Sequence, residues 1–183
     1  MSDFKTADGT PVIGIAGWKN SGKTMLAVRL IAEFSARGLR VASVKHAHHN
    51  FQIDDADTDS ARHRRAGSAQ VAIVSAKRWA LVTELGDAAE PEFAEVIAML
   101  APCDLIIVEG YKTAAIPKIE ARRGTSNSDK PLAPTDPNIF AIAAETPEAL
   151  QDRLPIFHLD DIAPLADFLA TRFSLKAGRR HPQ

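Results

Sequence analysis

The stretch GWKNSGKT, residues 17–24, follows directly on the apolar run PVIGIAG of residues 11–17. Its glycines, lysine and threonine fall at the spacing G-x-x-x-x-G-K-[ST] behind what reads as a buried strand. Those residue types at that spacing suit the cradling of phosphate. Successive backbone N–H groups in such a turn converge into an anion-binding nest. Gly17 and Gly22 permit positive φ and close backbone approach. The Lys23 ammonium would reach the β- and γ-phosphates, and the Thr24 hydroxyl would ligate Mg²⁺. Asn20 and Ser21 complete the turn.

Both flanks of the stretch agree with that reading. Val12, Ile13 and Ile15 make the preceding run β-branched and apolar, as a strand buried on both faces of a parallel sheet should be. After Lys23, the residues Met25, Leu26, Leu30, Ile31 and Phe34 recur at helical spacing, and Gly38 marks the stop. An anion in the turn would therefore also meet the positive end of a helix. A glycine-rich surface turn that happened to carry a lysine would need neither flank.

A phosphate loop needs an acidic residue on a neighbouring strand. DLIIVEG, residues 104–110, supplies one. Glu109 ends an apolar strand, level with the loop, where it could hold Mg²⁺ through water or orient an attacking water. Gly110 would allow close approach to the γ-phosphate. Asp104 begins the same strand and so faces the wrong end. The bland alternative is a strand-ending glutamate in solvent.

Further strands are predicted over residues 39–45, 69–76, 79–85, 116–123, 139–144 and 156–159, and helices over 58–66, 91–100, near 147–153 and over 160–173. Thr58 or Asp59 would cap the first of these helices and Gly67 would end it. The alternation of strand and helix predicts an α/β fold of the P-loop NTPase kind, a mainly parallel twisted sheet with helices on both faces. Ligands of such sheets bind at the carboxyl ends of the strands, where residues 17–24 lie. Residues 11–173 are expected to form one nucleotide-binding domain, between a loose tail at 1–10 and a basic tail at 174–183.

The polar stretch 46–59 has neither helical nor strand period, and a loop of that length is usually functional. It holds His46, His48 and His49, followed by Asp54, Asp55, Asp57 and Asp59. One reading is a switch segment, in which Asp54 and its neighbours join the Mg²⁺ shell while Lys45 and the histidines meet phosphates. Another is a site that carries Zn²⁺ or Ni²⁺ as cargo, since imidazole suits both. A solvated polar loop is the third.

Bulk properties narrow the partners. The chain has 183 residues, 45% hydrophobic and 25% charged, which suits one full α/β core. A net charge of −1 gives no general drive toward nucleic acid or an anionic membrane surface. The arginines of RHRR, residues 62–65, have no aromatic companions and read as a solvated or anion-facing helix face. The single cysteine, Cys103, excludes an intramolecular disulfide and suits a reducing compartment. With no apolar stretch of membrane-spanning length and a polar start, the expectation is a soluble cytoplasmic protein.

GWKNSGKT, VKHAHHNFQIDDADTDSARHRRAG, RWALVTE and DLIIVEGYK with PKIE occur in one order and spacing. In that combination the chain resembles the MobB family, the molybdopterin-guanine dinucleotide biosynthesis proteins B, over about residues 11–173. The resemblance implies a dimeric GTP-binding adapter with weak GTPase activity. Such a protein assists the guanylyltransferase that joins GMP to molybdopterin, the pterin of the molybdenum cofactor. By position it implies that Gly17, Asn20, Ser21, Gly22, Lys23 and Thr24 bind phosphate and that Glu109 and Gly110 form the acidic strand end. It also implies that Lys45, His46, His48 and His49 are the histidine signature and Asp59 with Ser60 its DS pair. No N-K-x-D guanine box is present; TDPN, residues 135–138, is the nearest substitute, with Asp136 as acceptor for the guanine amino group. A nickel metallochaperone and a small-molecule kinase are the alternatives. The first class usually brings cysteines near its histidines. The second would use EARRGTSNSDK, residues 120–130, as a lid.

Overall fold

The structure, a computed structural model, describes residues 4–47, 58–124, 130–150 and 152–176. The chain divides into two compact units, Met1–His46 with Val96–Gln183, and Ala47–Glu95. The larger unit is built on strands β1 (Val12–Ala16), β2 (Val41–Lys45), β5 (Leu105–Glu109), β6 (Lys118–Arg122), β7 (Ile139–Ala144) and β8 (Ile156–His158). They form one six-stranded sheet in the order β2-β5-β1-β6-β7-β8. Every pairing in it is parallel. This is the α/β sheet that the sequence pattern predicts.

β1 is buried along its whole length because it is enclosed on every side. β5 pairs with it from Val12↔Ile106 to Ile15↔Glu109, and β6 from Gly14↔Lys118 to Ala16↔Glu120. One face of the sheet is covered by α1 (Lys23–Ala36) and α4 (Ile162–Arg172). Ile13, Ile15, Ile107 and Ile119 meet Leu26, Leu30, Phe34, Leu165 and Leu169 there in a single cluster. Each such side chain, fully buried, contributes about 1.5–3 kcal/mol. α1 ends as its pattern predicts: Gly38 takes φ 84°, and the Leu39 N–H donates to the Phe34 carbonyl.

The opposite face at β1 is closed without a helix. The chain passes from β5 to β6 through residues 110–117, and Ile116 packs over Gly14. A Cβ on Gly14 would come within 2.9 Å of Lys118 Cγ and 3.1 Å of Ile116 Cδ1, so only glycine lets this connection lie against the strand. Lys118 is itself 1% exposed. Its Nζ donates to Asp136 Oδ2 at 2.8 Å and to the Lys112 carbonyl at 2.9 Å, which satisfies a charge that burial would otherwise make costly. Asp136 Oδ1 also accepts from the backbone and side-chain nitrogens of Asn138. Burial alone would raise the Asp136 carboxyl, but the bonds from Lys118 and Asn138 outweigh it and hold the group below its usual range.

The smaller unit contains α2 (Asp59–Arg65), β3 (Gln70–Val74) and β4 (Trp79–Thr83). β3 and β4 pair antiparallel from Gln70↔Thr83 to Val74↔Trp79 and belong to no larger sheet. The turn between them, where Ser75 N–H donates to the Arg78 carbonyl, is far too short for a parallel crossover. Thr58 caps α2, its hydroxyl accepting from the Ala61 N–H. Arg64 pairs with Glu84 at 2.9 Å.

Three sequence expectations are corrected. The helix near 147–153 is a single 3-10 turn at Pro147–Ala149, because Leu150 is already extended. α3 (Phe93–Ala98) is shorter than the apolar run suggests. Residues 5–10, expected in a loose tail, make tertiary contacts: Lys5 bridges Pro11, and the Thr10 hydroxyl donates to the Cys103 carbonyl.

Replacing Lys118 by Met should cost about 3 kcal/mol in urea unfolding, since it leaves a half-buried carboxylate without its main partner. The sign with pH is set by the depressed Asp136 carboxyl. Its contribution is complete above the ordinary carboxylate range and is lost as pH falls through the depressed value. The stability gap between wild type and variant should therefore narrow towards about pH 2. A gap equal at neutral and acid pH would remove the ion pair as its cause.

Candidate functional site

The parallel registers bring the carboxyl ends of β1, β2, β5 and β6 to one level. Ile15 lies beside Glu109, Lys45 beside Glu109, and Ala16 beside Glu120. Residues 17–24 leave β1 at that level and turn into α1. The turn uses left-handed backbone at Asn20 (φ 63°) and Gly22 (φ 92°), conformations that Asn and Gly tolerate best. A side chain on Gly17 would strike Ser21 Oγ and come within 2.7 Å of the Ala121 carbonyl. One on Gly22 would come within 2.8 Å of Leu159.

Gly22 occupies the N-cap of α1, no side chain caps that end, and the first turn holds no acid. Its leading N–H groups are thus the orphan donors that every helix start must satisfy from elsewhere. Ser21 is 8% exposed, and its hydroxyl has no hydrogen-bond partner among the described residues. Buried polar atoms are rarely left so, and a phosphate oxygen in the turn would satisfy this one. Asn20, Ser21, Gly22, Lys23, Thr24 and Arg123 border one open cleft over these groups.

The charges converge on the same place. Glu109, its side chain 13% exposed, accepts from the Thr24 hydroxyl at 2.6 Å through Oε1, and Lys45 Nζ lies 3.5 Å from the same oxygen. Lys23 Nζ donates to the Trp18 carbonyl. Burial pushes the Lys23 ammonium below its ordinary range; Lys112 and Lys45 push the same way, while Glu109 opposes them. A polyanion would relieve that strain, because it favours the charged amine. Hydroxyl and carboxylate oxygens are the donors that a hard cation such as Mg²⁺ takes, and Thr24 with Glu109 presents both side by side. The arrangement can hold a polyphosphate, its cation and a polarised water.

His46 is seated at this site by backbone, its N–H donating to the Glu109 carbonyl at 2.9 Å. Its ring packs on Tyr111, with centroids 4.5 Å apart. Gly110 has φ 94°, and a Cβ there would lie 2.9 Å from His46 Cβ, so its openness is taken up by His46. Asp136 is engaged elsewhere: it precedes β7, and its oxygens accept from Lys118 and Asn138. The guanine-acceptor role expected of it is not carried forward. Asp59 and Ser60 belong to the smaller unit, where Asp59 is exposed and 3.5 Å from Arg62, and Ser60 Oγ is 3.1 Å from Thr58 Oγ1. His48, His49 and Asp54 lie outside the described residues. Among the described residues no group of three His, Cys, Asp or Glu gathers to hold a metal ion.

Three residues shape the site without standing out in the sequence. Trp18 donates its indole N–H to the Lys130 carbonyl, and Lys112 Nζ sits 4.4 Å from the centre of its ring. Glu120, at the end of β6, accepts from the N–H groups of Leu132 and Ala133 and from Arg122, and so docks the loop beside the turn. Only the variable place of Trp18 in the loop motif and the apolar neighbours of Glu120 hinted at these roles.

Comparison with known proteins gives the chain its relatives. A family model described as molybdopterin guanine dinucleotide synthesis protein B matches residues 12–145, from β1 to the end of β7. A molybdopterin-guanine dinucleotide biosynthesis adapter protein of Haemophilus influenzae is 37% identical over 159 residues, covering 87% of each chain. The Escherichia coli protein of the same description is 35% identical over 162 residues, covering 87% of this chain and 91% of its own. The crystal structure of a MobB homologue from Bacillus stearothermophilus superposes with a TM-score of 0.66 at 26% identity, covering 90% of this chain and 99% of its own. The phosphate loop and the acidic strand end both lie within the matched residues, and the chain belongs to the MobB family.

Proposed function

We propose that this protein is a GTP-binding adapter of molybdopterin guanine dinucleotide synthesis, with weak GTPase activity. The hydrogen bond between Thr24 and Glu109, at the uncapped start of α1, carries the nucleotide part of that reading. The pathway comes from the relatives, which are described as adapter proteins of molybdopterin-guanine dinucleotide biosynthesis. The choice of GTP is what the resemblance to the family implies. In this reading Gly17, Asn20, Ser21, Gly22 and Lys23 hold the phosphates, and Thr24 with Glu109 holds Mg²⁺. Mg²⁺ would neutralise charge on the β- and γ-phosphates, while Glu109 orients water.

The partners in this reading are those the family resemblance implies: the guanylyltransferase that transfers GMP, molybdopterin itself, and a second copy of the chain. His46, anchored to Glu109, could couple the occupied nucleotide site to residues 48–57, with His48, His49 and Asp54 as the groups that respond. Among the described residues no helix is long and apolar enough to cross a membrane. One cysteine fits a cytoplasmic setting. Among the described residues nothing in the site favours a metal cargo or a kinase acceptor.

Replacing Lys23 by Ala should weaken binding of a non-hydrolysable GTP analogue with Mg²⁺ by roughly ten- to hundredfold, the worth of one charged hydrogen-bond partner. The fold should survive, since the ammonium is tied only to a carbonyl of its own loop. Calorimetric titration is the measurement, and an unchanged affinity would withdraw the phosphate-loop assignment.

Replacing Glu109 by Gln should lower single-turnover hydrolysis of saturating GTP by more than it lowers GTP affinity. Glutamine keeps the acceptor for Thr24 but loses the charge that orients water and the metal shell. Equal turnover by the two proteins would sink this role.

A further inference from the structure

We propose that Lys112 is a second phosphate-binding cation, which leaves the Trp18 ring when GTP binds and meets the γ-phosphate during hydrolysis. The inference rests on the GTP reading above.

The main chain of Lys112 is fixed while its side chain is free to move. Its carbonyl accepts from the buried Lys118 ammonium at 2.9 Å. The chain reaches it from Glu109 through consecutive left-handed residues, Gly110 (φ 94°) and Tyr111 (φ 47°). For a tyrosine that conformation is strained, and strain of this kind persists only where the surroundings impose it. Here the ring of Tyr111 packs on His46, which is itself bonded to Glu109. The turn thus delivers Lys112 to the mouth of the phosphate loop, three residues beyond the acid.

The Lys112 side chain is exposed and forms no ion pair among the described residues. It rests on the ring of Trp18, while the Lys23 ammonium sits on the carbonyl of the same residue. Two like charges held on one residue repel. A polyphosphate between them turns that repulsion into attraction. An exposed cation–π contact is weaker than a charge-assisted hydrogen bond to phosphate, so the exchange runs toward the nucleotide. Of the neighbouring cations, Lys45 faces Glu109 at 3.5 Å and Arg123 faces Glu145 at 3.4 Å.

In the step itself, water oxygen bonds to the γ-phosphorus and the bond to the β–γ bridging oxygen breaks. GDP leaves with that electron pair, and the protons of the water pass to phosphate and solvent. Lys112 acts by placing a positive charge against the γ-phosphate oxygens, whose charge must be stabilised in the transition state.

The test compares a non-hydrolysable GTP analogue with GDP on wild type, Lys112→Met and Lys112→Arg. The Met variant should bind the analogue about tenfold more weakly, keep its GDP affinity, and lose about a hundredfold in single-turnover hydrolysis. Arg should restore part of each loss. Retained GDP binding is also the check that the variant has folded. A second measurement uses Trp79→Phe, which leaves Trp18 as the sole tryptophan. Its emission should differ between the GDP-bound and analogue-bound forms, and in the Met variant the two should coincide. Equal weakening of both nucleotides, or an unchanged rate and analogue affinity, would overturn the role of Lys112 while leaving the GTP reading intact. Failure of wild type to bind GTP at all would overturn both.

Discussion

β1 has no surface of its own. Both its edges are paired, one face lies on α1 and α4, and the other lies under Ile116. A strand enclosed in this way cannot slip. Moving one residue along either neighbour would turn every side chain of that neighbour to the opposite face. The site depends on this constraint, because Glu109 reaches Thr24 only in the register that sets it beside Ile15 and Lys45. The phosphate loop thus starts from a strand whose register both neighbours fix.

β6 extends that control to the loops around the site. Lys118 and Glu120 are two positions apart and so project to one face, and both are almost fully buried. Buried charges are weak contributors to stability, because desolvation offsets most of their attraction. Their value here is positional. Lys118 holds the Lys112 carbonyl and Asp136, while Glu120 holds the N–H groups of Leu132 and Ala133. Two connecting segments beside the phosphate loop are thereby pinned at their main chains.

Much of this was legible in the residues. The glycines and lysine of 17–24, the apolar strand before them, the amphipathic helix after them and the acid at the end of β5 follow from spacing and periodicity. Those are local rules, and the structure obeys them. The reading failed where a side chain had more than one possible partner. Asp136 looked like a ligand acceptor because its neighbours in sequence are turn residues, yet its partner Lys118 lies on a different strand. Gly110 looked like room for phosphate, yet that room is used by His46 from β2. β3 and β4 read as strands, but the periodicity could not say that they pair only with each other.

The sequence by itself determined the phosphate loop and the strands and helices that frame it. These rest on backbone conformation and on hydrophobic period, which neighbouring residues settle among themselves. The family showed in the resemblance of whole motifs. Tertiary structure alone decided which charges are matched: Glu109 with Thr24, Lys118 with Asp136, and Lys112 left on the ring of Trp18. The reason is physical. A charge finds its partner through space, in a register and burial that no local stretch encodes, and only the closed sheet makes one pairing cheaper than another.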